Sequence, residues 1–319
     1  MKRLFLLLAL FAAMALVPLL VRSEFWLNVC ILTVFSALIG QAWNILGGYA
    51  GQFSFGHALF FGVGAYAVAV LQVHLGVNPW IGLILGAALG AGVAVAVGWL
   101  TFRYGLRGSY FALVTLAFAE VFRILANSTP WTGAGEGIMI KLSPRPSMMQ
   151  FKDLGHYYWL LLAMTLACYL TVWWLDRSRL GARMLAVRDN EDAAAAIGVD
   201  AFAVKLQAMA LSGLFMGLAG VFYAQRYLYL DPGIAFGPTE SVKALLVAIV
   251  GGIGTLFGPL MGAVVLHALS EGAQVALGSL PGANMVIYGT VLVLMVLFMP
   301  RGLASLTRPR SRRKGGRDA

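Results

Sequence analysis

Between two apolar runs, the chain spells Arg188-Asp189-Asn190-Glu191-Asp192-Ala193-Ala194-Ala195-Ala196-Ile197-Gly198. This stretch predicts a short helix at about 190–197. Asp189 or Asn190 can cap its free N–H groups, Glu191 and Asp192 complement the positive end of its dipole, and Gly198 suits a left-handed stop. The alanine run favours helix. Eight residues make about 12 Å of helix, far short of a bilayer. The stretch lies in a polar segment, 176–204, bounded by apolar runs at roughly 157–175 and 205–224. Polar island and apolar flanks together read as a loop between membrane spans.

Moving outward, further apolar runs lie at roughly 4–21, 25–46, 56–73, 79–101, 109–126, 239–254, 258–277 and 283–300. The expectation is an all-α polytopic membrane protein of about ten transmembrane helices, with a range of eight to ten because 56–73 and 239–254 are short or broken by glycine. Composition agrees: of 319 residues, 60% are hydrophobic and 11% charged, against about 25% charged in a soluble domain. Soluble enzymes, disulfide scaffolds and disordered chains are excluded. The first run, following Lys2 and Arg3, also resembles a signal peptide. Its apolar continuation through Val21 favours an uncleaved first helix.

The net charge of +10 is distributed as topology demands. With the N-terminus inside, sixteen of the 23 Lys and Arg fall in inside segments and five outside. The positive-inside rule then places both termini in the cytoplasm. The transmembrane domain is read as 1–303, followed by a basic cytoplasmic tail at 304–319. A long external loop, 127–156, is rich in Gly, Pro and polar residues and is expected to lie over the outer mouth.

Two Gly-rich stretches break the apolar pattern: Gly47 to His57, with Gln52, Ser54 and His57, and Gly251 to Pro259, with Gly252, Gly254 and Thr255. Irregular backbone at membrane depth is tolerated inside protein or along a watery cavity. Such breaks point to a pathway or gate, while their glycines equally serve close helix packing. Ionisable pairs at helical spacing, Glu120/Arg123, Glu240/Lys243 and His267/Glu271, are read as self-neutralising structural or snorkelling groups in preference to substrate contacts. Phosphate loops, metal-ligand spacings and nucleophile motifs do not occur, and nothing points to nucleic acid. Residue physics alone leaves two readings of the 176–204 segment: a helix shaped to dock in another protein's groove, flanked by Arg183, Arg188 and Lys205, or a surface helix joining two spans.

The run from Gly181 to Asp200, continued by Val204-Lys205-Leu206 and Gly217-Leu218-Ala219-Gly220, resembles the cytoplasmic loop of the permease subunits of branched-chain amino acid ABC transporters. Four further blocks resemble the same family in the same order: Gly51 to Ala58 with Gly64-Ala65-Tyr66, Leu106 to Ala112 with Thr115-Leu116-Ala117, Gly251 to Pro259, and Met299 to Leu303. The match is closer to the M-type than to the H-type permease. One departure is the outer-loop turn, Thr132-Gly133-Ala134-Gly135-Glu136-Gly137, where the family usually carries a Thr-Gly-Gly type.

The resemblance implies an ABC importer permease fold in the bacterial cytoplasmic (inner) membrane. It implies a coupling helix that docks on an ATPase subunit through Arg183, Arg188, Asp189, Asn190, Glu191, Asp192, Ala193, Ala194 and Gly198. The implied partners are a paralogous H-type permease, two ATPase subunits and a periplasmic or extracellular substrate-binding protein, besides membrane lipid. ATP and Mg would sit on the ATPase subunits, with no cofactor on this chain and no catalysis by it. Gln52, Ser54, His57, Gly252, Gly254 and Thr255 are the pathway or gate candidates.

Overall fold

A computed structural model describes residues 2–277 together with Val286, Gly289, Thr290 and Leu303. Apart from those residues, the expected span at 283–300, the Met299 to Leu303 block and the 304–319 tail lie outside the described residues. The helices follow the apolar runs in order: α1 (Lys2–Ala15), α2 (Val17–Leu20), α3 (Glu24–Asn44), α4 (His57–Leu75), α5 (Pro79–Arg103), α6 (Gly108–Ser128) and α7 (Leu154–Leu175). Then come α8 (Arg179–Asp189), α9 (Glu191–Ala196), α10 (Ala201–Tyr227), α11 (Pro232–Phe236), α12 (Pro238–Gly251) and α13 (Gly258–Leu277). Among the described residues, eight helical segments are long and apolar enough to cross a membrane, counting α1 with α2 and α11 with α12. Helix α13, 20 residues long, covers the next expected span.

The centre of the bundle is α10 lying along α5 and α4. Small residues allow this: a Cβ added at Gly217 of α10 would lie 2.8 Å from the Gly86 carbonyl oxygen of α5. With no hydrophobic effect between helices in lipid, close backbone approach is a main source of packing energy. Helix α1 docks on α7: Leu7 and Phe11 are buried, the Phe11 ring meets Tyr169 at 5.5 Å, and Tyr158 Oη donates to the Met14 carbonyl at 3.0 Å.

Successive spans alternate direction, so the connections fall at two ends. One end gathers the α3–α4, α5–α6, α7–α10 and α12–α13 connections, with the basic residues of 103–107 and 177–188. The 127–156 segment lies at the other. There β1 (Ile138–Met139) pairs antiparallel with β2 (Tyr229–Leu230) after α10. His74 at the end of α4 meets the Trp131 carbonyl at 2.9 Å, and Trp80 Nε1 at the start of α5 donates to the Pro146 carbonyl at 3.0 Å. The segment therefore folds over the ends of α4, α5 and α10, as a cover on that end requires.

Candidate functional site

The short helix α9 forms where its capping chemistry places it. Asn190 Oδ1 accepts from Ala193 N–H at 2.9 Å, and Gly198 takes φ +84 after the last turn. Of the two capping candidates, Asn190 acts. Asp189 instead closes α8 and pairs with Arg188 at 3.0 Å. Helix α8 was not expected from the basic composition of 176–189. It forms because Ser178 Oγ caps it, accepting from Gly181 N–H at 3.0 Å, and because Met184 and Val187, three apart, bury one face.

Glu191 turns inward. Its carboxylate accepts from Lys205 Nζ of α10 at 2.6 Å and faces Arg107 Nε of the α5–α6 connection at 3.3 Å. Lys205, only 3% exposed, also lies over the Phe102 ring at 4.8 Å. Asp192 meets Arg107 at 3.3 Å but its side chain is 82% exposed. Ala194 is buried beneath the helix, whereas Asp192, Ala193, Ala195, Ala196 and Ile197 form an exposed face. Arg183 is exposed beside it. The inferred docking set thus divides into groups that fasten α9 to its own chain and groups that face outward.

The two Gly-rich breaks meet. Asn44, fully buried at the end of α3, reaches across with both amide atoms. Its Oδ1 accepts from Gly254 N–H at 2.7 Å and its Nδ2 donates to the Thr255 carbonyl at 3.1 Å. A turn of π-helix, Ile45–Tyr49, follows Asn44 and carries the chain into the first break. Gly51 and Gly254 both take φ +70, a conformation only glycine adopts freely. Arg188 from α8 fills the seam between them: its Nη1 donates to the Gly48 carbonyl at 3.0 Å, and a Cβ at Gly254 would lie 2.8 Å from that same nitrogen. Tyr49 Oη adds a bond to Asp176 Oδ1 at 2.7 Å.

The polar gate candidates are buried and mostly partnered. His57 Nε2 meets Ser212 Oγ of α10 at 2.8 Å, and Ser212 in turn donates to the Ala42 carbonyl at 2.7 Å. Ser54 Oγ accepts from Gly56 N–H at 3.1 Å while its carbonyl accepts from Trp43 Nε1 at 2.9 Å. Gln52 Nε2 donates to the Ala50 carbonyl at 3.2 Å. Thr255 Oγ1 donates to the Gly252 carbonyl at 2.8 Å and accepts from Gly258 N–H at 3.1 Å, opening α13. Sequence reading missed Asn44, Ser212 and the anchoring role of Arg107. A polar residue ending or interrupting an apolar helix was the available signal for the first two.

The charged pairs fare differently from one another. Glu120 and Arg123 pair at 2.8 Å on an exposed face of α6, as expected of a self-neutralising pair. Glu240 and Lys243 pair at 2.8 Å. His267 meets Ser36 Oγ of α3 at 2.8 Å, and among the described residues no ion pair joins it to Glu271. No group of residues able to hold a metal occurs among the described residues.

Among the described residues the chain is a multi-pass helical bundle whose helix breaks are tied to a capped, surface-facing loop helix. The chain belongs to the family described as the branched-chain amino acid transport system permease component, whose model matches residues 25–296. It is similar to the high-affinity branched-chain amino acid transport system permease protein LivM of Escherichia coli, 28% identical over 94% of this chain and 77% of that protein. LivM of Salmonella typhimurium is 28% identical over 91% and 72%. The L-arabinose ABC transporter permease protein AraH of Azospirillum brasilense is 29% identical over 68% and 63%. No solved structure matches the chain.

Proposed function

We propose that this chain is a permease subunit of an ATP-driven bacterial importer for branched-chain or related amino acids. It works with a paralogous permease, two ATPase subunits that hold ATP and Mg, and an external substrate-binding protein, in the cytoplasmic membrane. An even number of spans, about ten, would place both termini and the basic end of the bundle in the cytoplasm, and the 127–156 cover outside.

The observation that carries this reading is the placement of Arg188. The outward face of α9 presents Asp192, Ala193, Ala195, Ala196 and Ile197, the small, partly apolar surface that a groove on an ATPase subunit would accept. Closure of the ATPases on ATP would move α9, and with it α8. Arg188 would transmit that movement to Gly48 and Gly254, where the Gly-rich breaks meet. Gln52, Ser54, His57, Gly252, Gly254 and Thr255 then act as the gate region. The permease does no chemistry; the differential affinity of nucleotide for two states drives the switch.

Substrate class rests on the LivM relatives, and the pentose permeases among the relatives supply the competing reading. The test is purification of the tagged chain from its native membranes in mild detergent, with an ATPase assay on the eluate and uptake by the reconstituted complex. A second permease, two ATPase chains and ATP-dependent uptake of L-leucine are expected. A lone ATPase-free protein, or uptake that follows an ion gradient without ATP, would overturn the assignment.

A further inference from the structure

The cations at the α9 end of the bundle divide into two kinds. Arg107, Lys205 and Arg188 are held by their own chain, against Glu191, Asp192, Asp189 and the Gly48 carbonyl. Lys2, Arg177 and Arg179 are exposed, and none has an ion pair among the described residues. Arg3 has one, to Asp176 Oδ2 at 3.9 Å, and its side chain stays 72% exposed. That pair joins the first turn of α1 to the end of α7, so the four cations gather where α1, α7 and α8 meet. The positive-inside rule asks for cations on one side of a membrane, not for their collection at one helix junction.

One carboxylate answers the four, and its other oxygen already accepts from Tyr49 Oη at 2.7 Å. Neither α1 nor α8 carries an acidic residue in its first turn, where the helix dipole favours one, so both positive helix ends add to the patch. Apolar surface adjoins it. Arg177 lies over the Trp173 ring at 4.4 Å, and Trp174 is 50% exposed. On α1, Phe5 and Leu6 are 77% and 58% exposed, and bare leucines continue to Leu20 past the far end of that helix. Cations and indoles at one depth, with an apolar face running a span's length beyond them, match the two parts of a phospholipid.

We propose that the junction of α1, α7 and α8 binds a phospholipid of net negative headgroup charge. Arg3, Arg177 and Arg179 take the phosphate, Lys2 adds charge, and the acyl chains lie along the bare face of α1 beside Trp174. Arginine's planar fork suits phosphate oxygens, and basic pockets between membrane helices recognise such headgroups. The lipid bridges α1 to α7, which α1 otherwise meets through buried Leu7 and Phe11 and two hydrogen bonds to its own carbonyls. The inference holds whatever solute the protein moves.

The test uses the complete complex purified from its native membranes in mild detergent, with phosphatidylglycerol carrying a diazirine in one acyl chain as probe. Labelling is expected in the peptides carrying residues 4–20 and 172–180. Unmodified phosphatidylglycerol should displace it, phosphatidylcholine at least about fivefold more weakly, and excess inorganic phosphate not at all. The triple variant Lys2→Gln, Arg177→Gln, Arg179→Gln should weaken labelling about tenfold or more, since each cation near a headgroup is worth about a factor of five. Arg103→Gln, at an exposed cation of the same end outside the junction, should leave it unchanged. Labelling confined elsewhere, equal displacement by the two lipids, or an equal loss in Arg103→Gln overturns the site. Displacement by inorganic phosphate would make it a free-anion site and overturn the lipid. The displacement series needs only the wild type, so it decides the question even where the triple variant fails to assemble.

Discussion

The two ends of this bundle handle buried polarity differently. At the α9 end, Asn44 and Ser212 have partners from distant parts of the chain and Ser54 and Thr255 hold partners two and three residues away, while Gln41 Nε2 and His57 Nδ1 have none among the described residues. At the opposite end, Glu240 Oε2 and Arg226 Nε are buried with none among the described residues, while Lys243 holds the other oxygen of Glu240. A satisfied network specifies one arrangement of backbone and transmits force as a unit.

The largest expected effect comes from breaking the satisfied side. Asn44→Leu strands the Gly254 N–H and the Thr255 carbonyl in a half-buried seam. At about 1–3 kcal/mol for each stranded group, the loss should be about 3 kcal/mol or more. Thermal denaturation of the detergent-solubilised complex measures it, and an unchanged midpoint would remove Asn44 from the seam.

Glu191→Lys comes next. It sets a lysine against buried Lys205 and against Arg107. Breaking such a buried pair costs about 3–5 kcal/mol, with part of that relieved here because α9 can lift away from the surface. Proteolysis in the 176–200 segment should accelerate, and uptake should fall. Asp192→Lys, at a side chain 82% exposed, should leave proteolysis unaltered and act only on ATPase docking. Equal effects of the two substitutions would dissolve the division between inward and outward faces.

His57→Ala removes the bond to Ser212 and leaves space beside Phe60. It should slow transport while ATPase subunits still co-purify, and wild-type rates would make His57 a packing residue only. The smallest effect is expected of Arg123→Ala, which breaks an exposed ion pair on α6. Exposed pairs contribute little, so uptake and thermal midpoint should match the wild type.

Much of this was legible from the chain alone, and what was not has a common cause. Hydropathy located the spans because a bilayer imposes one length on every apolar helix. The Asn190 and Gly198 signals located α9 because capping is local chemistry within a few residues. Asn44 gave no such signal: its partners Gly254 and Thr255 lie 210 and 211 positions away. Ser212 answers His57 from 155 positions away. Glu191 was read for its effect on the helix dipole, a local property, while its bond to Lys205 depends on how α10 returns beneath α9. The pairing of Glu240 with Lys243 was legible at helical spacing.

The proposed function requires the loop helix and the Gly-rich breaks to move together. The direct measurement is ATP hydrolysis and L-leucine uptake, side by side, in proteoliposomes of the wild-type complex and of Arg188→Ala. That variant removes the side chain between Gly48 and Gly254 and leaves the outward face of α9 intact. The prediction is a complex that assembles and hydrolyses ATP, with uptake per ATP reduced by about tenfold or more, the equivalent of losing about 1.4 kcal/mol of coupling. Uptake per ATP equal to the wild type would contradict it.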